Sequence, residues 1–235
     1  MSVVAVILAG GSGKRMGTDL PKQYLQVGDR MVLEHTLARF DHHPGVDELA
    51  VVLHDDYRPL LQDAVDRHPC TKPLRMLRGG SERYLSVLSA VQAYADRPDD
   101  ILLLHDAARP LVEAGTISSV LQAMATHDAA VVVVPTVDTP LLSNADGSLM
   151  EQPLQRSRVY LAQTPQAFRQ QVVARAYTKA LAAGPIDSTD DAGLVARHLP
   201  HVAIAIVPGK PTNIKITYPD DLLRLEHALG LQATS

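Results

Sequence analysis

The sequence predicts an α/β fold: a single Rossmann-like, doubly wound, mostly parallel sheet. Short apolar runs alternate with segments of helical periodicity through residues 1–135, which is typical of parallel strands joined by helical crossovers. The 235 residues, 46% of them hydrophobic, suffice for one domain with a full core. We therefore expect a single domain over residues 1–235.

The individual elements follow from local periodicity and from turn residues between the apolar runs. The predicted strands cover 3–8, 48–54, 74–77, 101–104, 129–135 and 201–207, with a return segment at 159–163. The predicted helices cover 31–40, 55–68, 81–94, 116–126, 169–182, 190–198 and 220–229. Because ligands of such sheets bind at the carboxyl ends of the strands, the segments that follow strands are the candidate site.

The first predicted strand leads into a glycine-rich loop with cations close behind it. Three glycines between residues 10 and 13 precede Lys14, Arg15 and, behind Pro21, Lys22. Glycines let the backbone approach a ligand and point its N–H groups at it, and the cations suit a phosphate chain. The spacing fits neither the Walker loop nor the dinucleotide fingerprint. We therefore expect a phosphate site of another kind.

Two further segments end predicted strands at the same edge of the sheet. Gly79 and Gly80 follow the third strand, and the run His-Asp-Ala-Ala-Arg-Pro at 105–110 follows the fourth. Three such segments at one edge predict a single site.

Residues 136–160 break the alternation. They are polar and rich in turn residues, and Asp146-Gly147 is a strong hairpin-turn signal. A structureless excursion of this length is uncommon in a compact domain and is usually functional. We expect a protruding β-hairpin arm at about 136–160 that contacts a second copy of the chain.

Composition excludes several classes of function. The net charge of −4 implies no broad basic face, so nucleic acid is not an expected partner. The one cysteine excludes an intramolecular disulfide and a cysteine-rich zinc site. No apolar run reaches the roughly 20 residues that cross a bilayer, and no secretory signal is evident. We expect a cytoplasmic protein with no membrane partner.

Seven short motifs occur in the order found in one family. They are Leu-Ala-Gly-Gly-x-Gly-x-Arg-Met-Gly (8–17), Pro-Lys-Gln-Tyr (21–24), Gly-Gly-Ser-Glu-Arg (79–83), His-Asp-Ala-Ala-Arg-Pro (105–110), Thr-Pro-Gln (164–166), Thr-Asp-Asp (189–191) and Asn-Ile-Lys (213–215). The chain thus resembles the 2-C-methyl-D-erythritol 4-phosphate cytidylyltransferases over nearly its whole length. The resemblance implies the nucleotide-diphospho-sugar transferase type of the predicted fold. It also implies transfer of a cytidylyl group from CTP to that polyol phosphate in non-mevalonate isoprenoid synthesis. It also implies Mg²⁺ or another divalent cation as cofactor, and a homodimer.

The resemblance further implies roles for individual residues. The implied catalytic cations are Arg15, Lys22 and Lys215. The implied CTP contacts are Leu8, Ala9, Gly10, Gly11, Ser12, Gly13, Gly80, Arg83, Ser86 and Asp106. The implied acceptor contacts are Asp106, Ala107, Arg109, Thr139, Arg156, Thr164, Thr189 and Lys215. Asp106, with the CTP phosphates, is also the implied metal ligand. Arg156 on the arm is expected to reach the partner's site, with Arg158 as a nearby alternative.

The identity of the acceptor stays open between two related branches. Residues 140–142 read Pro-Leu-Leu where the family commonly has an apolar residue and then lysine. The Leu-Ala-Gly-Gly start of the loop resembles the ribitol-5-phosphate cytidylyltransferases of polymer synthesis. In contrast, the motif at 105–110 favours the methylerythritol branch.

Two alternatives from other classes are also considered. A non-catalytic nucleotide-binding subunit would not be expected to keep Arg15, Lys22, Asp106 and Lys215 together. A nicotinamide dehydrogenase would need the missing third glycine, although acidic residues do stand at 55–56, after the second strand.

Overall fold

The computed structural model describes residues 1–11, 16–17 and 20–231. Its strands are β1 (Val3–Leu8), β2 (Gln26–Val27), β3 (Arg30–Met31), β4 (Glu48–Leu53), β5 (Leu74–Arg78), β6 (Ile101–Asp106), β7 (Ala129–Pro135), β8 (Leu141–Ser143), β9 (Met150–Pro153), β10 (Tyr160–Arg169) and β11 (Ile204–Pro208). Its α-helices are α1 (Val32–Asp41), α2 (Arg58–Arg67), α3 (Arg83–Ala93), α4 (Ala114–Ala123), α5 (Gln170–Ala183), α6 (Asp191–His198) and α7 (Pro219–Ala228).

Seven strands form the central sheet, in the order β11-β7-β10-β6-β1-β4-β5. Only β10 runs antiparallel to its described neighbours, β6 and β7, while the remaining pairs are parallel. The predicted α/β class with a mostly parallel sheet is confirmed. Continuous apolar strands are required because both faces of such a sheet are buried.

Alternate residues of the strands face two separate cores. Ala5 and Ile7 of β1 pack in the core that α1, α2 and α4 cover. Val4 and Val6 pack in the core that α3, α5 and α6 cover. This doubly wound arrangement leaves the carboxyl ends of the parallel strands uncovered, so the edge where the sequence predicts a site is open.

Several element bounds differ from the sequence-based prediction. Helix α3 begins at Arg83, two residues late, because the backbone of Glu82 before it is extended (φ −124°, ψ 159°). The predicted return at 159–163 is the start of one long strand, β10. Its register shifts between Ala162 and Gln166, around a proline that has no N–H to donate.

Residues 141–153 form a β-hairpin, β8 and β9, apart from the central sheet. Gly147 has φ +76°, and the Asp146 carboxylate accepts a hydrogen bond from the Ser148 N–H (2.9 Å), so the turn lies at the predicted position. Leu149 and Met150 are well exposed on this hairpin. Whether the hairpin mediates dimerisation stays a prediction. Among the described residues, no helix is long and apolar enough to cross a membrane.

Candidate functional site

Two adjacent cavities open at the carboxyl edge of the sheet. The first cavity, about 340 Å³, is bordered by the glycine loop and by the start of α3. The second cavity, about 370 Å³, is bordered by β10 and by the turn before α6. Arg83, Asp106 and Lys215 line both. Two ligands bound side by side would therefore meet across these three side chains.

The structure brings most of the predicted site residues to these cavities. The first is lined by Leu8, Gly10, Gly11, Lys22, Arg83, Ser86, Asp106, Ala107 and Lys215. The second is lined by Arg83, Asp106, Arg109, Thr164, Thr189 and Lys215. Ala107, implied as an acceptor contact, thus lies on the side of the glycine loop. Ala9 is buried beneath that loop, and Gly80 adjoins the first cavity through its N–H bond to Ser86.

Some predicted residues are not brought to this site. Thr139 and Arg156 lie on either side of the hairpin at 141–153, within the predicted arm at 136–160, and line neither cavity. Both are exposed, and Arg156 donates to the carbonyl oxygen of Val137 (3.2 Å). Ser12, Gly13 and Arg15 lie outside the described residues.

Asp106 ends β6 and is surrounded by three cations. Its Oδ2 lies 2.9 Å from Lys215 Nζ and 3.5 Å from Arg109 Nε, and its Oδ1 lies 3.6 Å from Arg83 Nε. Burial alone would raise the pKa of Asp106, but these cations hold its pKa well below the usual range. Asp106 is therefore ionised. The surplus of positive charge suits phosphate ligands.

Arg109 provides a donor that the described residues do not satisfy. Its Nε is buried and makes no well-aligned hydrogen bond in the described chain, although the Asp106 carboxylate lies at ion-pair distance. A buried unsatisfied donor costs free energy. Arg109 lines the second cavity and not the first, and its positive charge there suits an anionic ligand.

Lys215 is positioned by hydrogen bonds that residues on either side of it make. The side-chain amide of buried Asn213 donates to the carbonyl oxygen of Thr164 (2.9 Å). The Ile216 N–H donates to the carbonyl oxygen of Ala108 (2.8 Å). Because these bonds join three separate segments, the Lys215 ammonium group is held at the boundary of the two cavities.

The glycine loop is anchored by Gln23, to which the sequence analysis assigned no role. The Gln23 side chain is buried, and its Nε2 donates to the carbonyl oxygens of Ala9 (2.7 Å) and Gly11 (2.8 Å). The adjacent Tyr24 ring stacks on Tyr57 with 4.5 Å between the ring centroids. The sequence signal that could have indicated this anchoring role is the Pro-Lys-Gln-Tyr motif, in which a polar glutamine follows Lys22.

Close packing explains two of the glycines. Ser86 is buried on α3, and its Oγ accepts a hydrogen bond from the Gly80 N–H (3.2 Å). A Cβ atom on Gly10 would lie 2.7 Å from Ser86 Oγ, and one on Gly80 would lie 2.2 Å from Leu85 Cβ. Only glycine allows the two loops to approach α3 this closely.

His105 is buried below the turn that follows Asp106, and its hydrogen bonds stabilise that turn. It is fully buried, with Nε2 3.0 Å from the carbonyl oxygen of Arg109 and Nδ1 3.0 Å from Thr164 Oγ1. A carbonyl can only accept, so Nε2 carries the proton. The Thr164 hydroxyl accepts from the Asp106 N–H and donates to Nδ1. Burial lowers the pKa of His105 to about 4, despite the raising effect of the Arg109 carbonyl and of Asp106.

We expect the His105 ring to stay neutral, with its proton on Nε2, from pH 7 to pH 5. Unfolded histidine takes up a proton near pH 6.5, whereas folded His105 does so only near pH 4. Its contribution to the free energy of unfolding is thus complete above pH 6.5 and is lost as the pH falls towards 4. Two-dimensional ¹H–¹⁵N spectra of histidine-labelled protein measure both the tautomer and the titration, and His105→Gln assigns the signal. A proton on Nδ1, or a pKa near 6.5, would contradict this arrangement.

Comparison with known proteins agrees with the arrangement of these motifs. A family model described as 2-C-methyl-D-erythritol 4-phosphate cytidylyltransferase matches residues 3–230. A protein of that name from Syntrophus aciditrophicus is 39% identical over 95% of this chain and 94% of its own length. The structure of 4-diphosphocytidyl-2C-methyl-D-erythritol synthase from Anaerococcus prevotii superposes with a TM-score of 0.85 at 28% identity, covering 97% of this chain and 98% of that one.

A related protein of a different activity also matches. The bifunctional ribulose 5-phosphate reductase/CDP-ribitol pyrophosphorylase from Haemophilus influenzae is 38% identical over 93% of this chain, which spans 46% of that protein. The family match nevertheless covers almost all of the chain, and the resemblance stated from the motifs is confirmed. The chain therefore belongs to the 2-C-methyl-D-erythritol 4-phosphate cytidylyltransferase family.

Proposed function

We propose that this chain transfers the cytidylyl group of CTP to 2-C-methyl-D-erythritol 4-phosphate and releases pyrophosphate. The observation that carries the proposal is the sharing of Arg83, Asp106 and Lys215 by two adjacent cavities. A transferase needs two substrates whose reacting groups meet, and here they would meet beside a concentration of positive charge. The activity of the matched relatives supports the same reaction.

The residues that line each cavity decide which substrate we assign to it. CTP is placed in the first cavity, where the glycine loop and Lys22 offer backbone N–H groups and a cation to the triphosphate. The polyol phosphate is placed in the second, where Arg109 offers a guanidinium, Thr189 offers a hydroxyl and Thr164 borders the cavity. Both assignments use the residues that the family resemblance implies.

The chemistry requires positioning and charge neutralisation rather than a nucleophilic side chain. A phosphate oxygen of the acceptor forms a bond to the α-phosphorus of CTP. The bond from that phosphorus to the bridging oxygen breaks, and pyrophosphate leaves with its electron pair. Lys215 lies where both substrates meet, so it can stabilise charge on the α-phosphoryl group. Lys22 can hold the triphosphate and stabilise the charge that builds on the α-phosphoryl group, and the resemblance gives Arg15 the same role.

A divalent cation, which we take as Mg²⁺, fits this site through a single carboxylate. Asp106 is ionised and lines both cavities. In the described chain, no group of three or more His, Cys, Asp or Glu side chains is arranged to hold a metal. Magnesium is commonly held by one or two carboxylates together with substrate phosphates. Asp106 would thus hold it with the CTP phosphates, and the bound cation would neutralise phosphate charge.

We further propose that the predicted arm at 136–160 joins two copies of this chain. The arm of each copy would contribute a side chain to the site of the other copy. Val137, Leu141, Leu149 and Met150 expose apolar surface there, and apolar patches of this kind are typical of interfaces. Arg156 donates to the carbonyl oxygen of Val137 and lines neither cavity of its own chain. A partner copy is therefore the natural recipient of its side chain.

Arg156→Ala is expected to raise the KM for the polyol phosphate by about ten- to a hundredfold and to leave the KM for CTP within twofold. The reason is the loss of a charge-assisted bond to the acceptor, worth about 1.5–3 kcal/mol. Steady-state rates of pyrophosphate release measure both constants. Arg158→Ala is the matched control, since both arginines belong to the 3₁₀ turn Arg156–Arg158. An effect confined to CTP, or a larger effect at Arg158, would refute the placement of the arm.

Ribitol 5-phosphate is the second candidate acceptor. The match to the Haemophilus influenzae protein favours it, as does the Leu-Ala-Gly-Gly start of the glycine loop. The phosphate site is the same for both candidates. Only the part of the site that contacts the polyol would differ.

The decisive experiment measures pyrophosphate release from CTP and Mg²⁺ with each acceptor in parallel. Turnover with 2-C-methyl-D-erythritol 4-phosphate alone supports the proposed function. Turnover with ribitol 5-phosphate alone would move the chain to the second activity and keep the assignments around the triphosphate. Turnover with neither acceptor would overturn both candidates.

A further inference from the structure

Asp191 is a buried carboxylate beneath the site and lines neither cavity. It is the first residue of α6, and none of its surface is exposed. Its Oδ1 accepts a hydrogen bond from the Tyr177 hydroxyl (2.7 Å), and its Oδ2 accepts one from Arg83 Nη2 (2.7 Å). A charge at such a position needs close partners, because an unpaired buried charge is strongly destabilising.

The guanidinium that Asp191 binds belongs to the boundary of the two cavities. Arg83 Nη2 is held by Asp191, while Arg83 Nε lies 3.6 Å from Asp106 Oδ1. Burial alone would lower the pKa of Arg83, but Asp191 and Asp106 together raise it. Arg83 is therefore charged. Its guanidinium lies between the buried carboxylate of Asp191 and the carboxylate of Asp106, which lines both cavities.

Asp191 itself is fixed from two directions. The side-chain oxygen of buried Gln166 accepts hydrogen bonds from the N–H groups of Asp191 (3.1 Å) and Ala192 (2.8 Å). Burial and the nearby Asp191 charge raise the pKa of Tyr177, so its hydroxyl keeps the proton that it donates. The carboxylate thus has a defined position before any substrate binds.

We propose that Asp191 is a positioning residue for the transfer reaction. It holds the Arg83 guanidinium at the boundary of the two cavities, so that one cation serves the phosphates of both substrates. This inference rests on the proposed function. The competing explanation is that Asp191 only stabilises the start of α6.

A double-mutant cycle on Asp191→Asn and Arg83→Ala separates the two explanations. We expect Asp191→Asn to lower kcat/KM for CTP at least tenfold per folded molecule in the wild-type background. In the Arg83→Ala background the same change should cost less than twofold, since its target is gone. A helix-starting role would instead lower the melting temperature equally in both backgrounds and leave kcat/KM per folded molecule unchanged. Either that pattern or equal losses in both backgrounds would overturn the proposal.

Tyr177→Phe provides a milder second variant in case Asp191→Asn does not fold. Arg83→Lys, which leaves a cation beside Asp191, replaces Arg83→Ala as the background if Arg83→Ala does not fold. Tyr177→Phe removes one hydrogen bond to the carboxylate and keeps the ion pair, so we expect a two- to fivefold loss that disappears in the Arg83→Ala background. A loss that persists there would overturn the proposal.

The same cycles can be measured without turnover, as the change in CTP affinity determined by calorimetry. If the wild-type chain binds CTP but transfers to neither acceptor, the proposed function fails, and the calorimetric cycle still decides the role of Asp191.

Discussion

Lys22→Ala is expected to lower kcat/KM for CTP by about a hundred- to a thousandfold while leaving the fold intact. Lys22 lines the first cavity only, and its neighbour Gln23 bonds directly to the glycine loop. The ammonium group is therefore carried by a segment that is fixed relative to the glycine loop, where the triphosphate is proposed to bind. Removing one preorganised charge from a developing transition-state charge typically costs about 10²–10³ in rate.

Pyrophosphate release at saturating acceptor measures this loss, and circular dichroism melts show whether the fold is kept. Lys179→Ala is the control, because Lys179 is exposed on α5 and lines neither cavity. We expect the control to stay within twofold of the wild type. Turnover of Lys22→Ala within tenfold of the wild type would remove the role assigned to this lysine.

Lys215→Ala is expected to lower kcat by about a hundredfold or more, whichever acceptor the enzyme uses. Its Nζ lies 2.9 Å from Asp106 Oδ2, and Lys215 lines both cavities. In the proposed reaction it would therefore act on the α-phosphoryl group rather than on one end of either substrate. An interaction made mainly in the transition state lowers kcat and kcat/KM together when it is removed. In this respect Lys215→Ala should differ from Arg156→Ala, whose main effect is on one KM.

Single-turnover and steady-state rates with both substrates varied test this expectation. Lys210→Ala is the matched control, since Lys210 is an exposed lysine of the same segment whose backbone carbonyl, not its side chain, bonds to Gln163. A loss in kcat below tenfold, or an increase confined to one KM, would mean that Lys215 does not act on the reacting phosphate.

Much of this molecule follows from short-range patterns in its sequence. Strands β1, β4 and β7 lie within one residue of the predicted bounds, because buried apolar runs and their flanking glycines and prolines are local signals. The edge of the sheet that carries the site was also predictable, since ligands bind where parallel strands end. The motifs at 105–110 and 213–215 then identified Asp106 and Lys215 as candidates.

Other features depend on contacts between residues that are distant in sequence. No periodicity indicates that β10 inserts antiparallel between β6 and β7, since strand order is decided by packing of the whole sheet. The anchoring role of Gln23 depends on which backbone oxygens the folded loop presents.

The sequence by itself determined the fold class, the family and most of the side chains at the site, because local periodicity and motif spacing express them directly. Only the tertiary structure decided that Arg83 is shared by two cavities and held by Asp191, 108 residues away. It also placed Arg156 away from both cavities of its own chain. The physical reason is that a charge pair between distant segments depends on how α3, α5 and α6 pack on the sheet, and no local pattern encodes that packing.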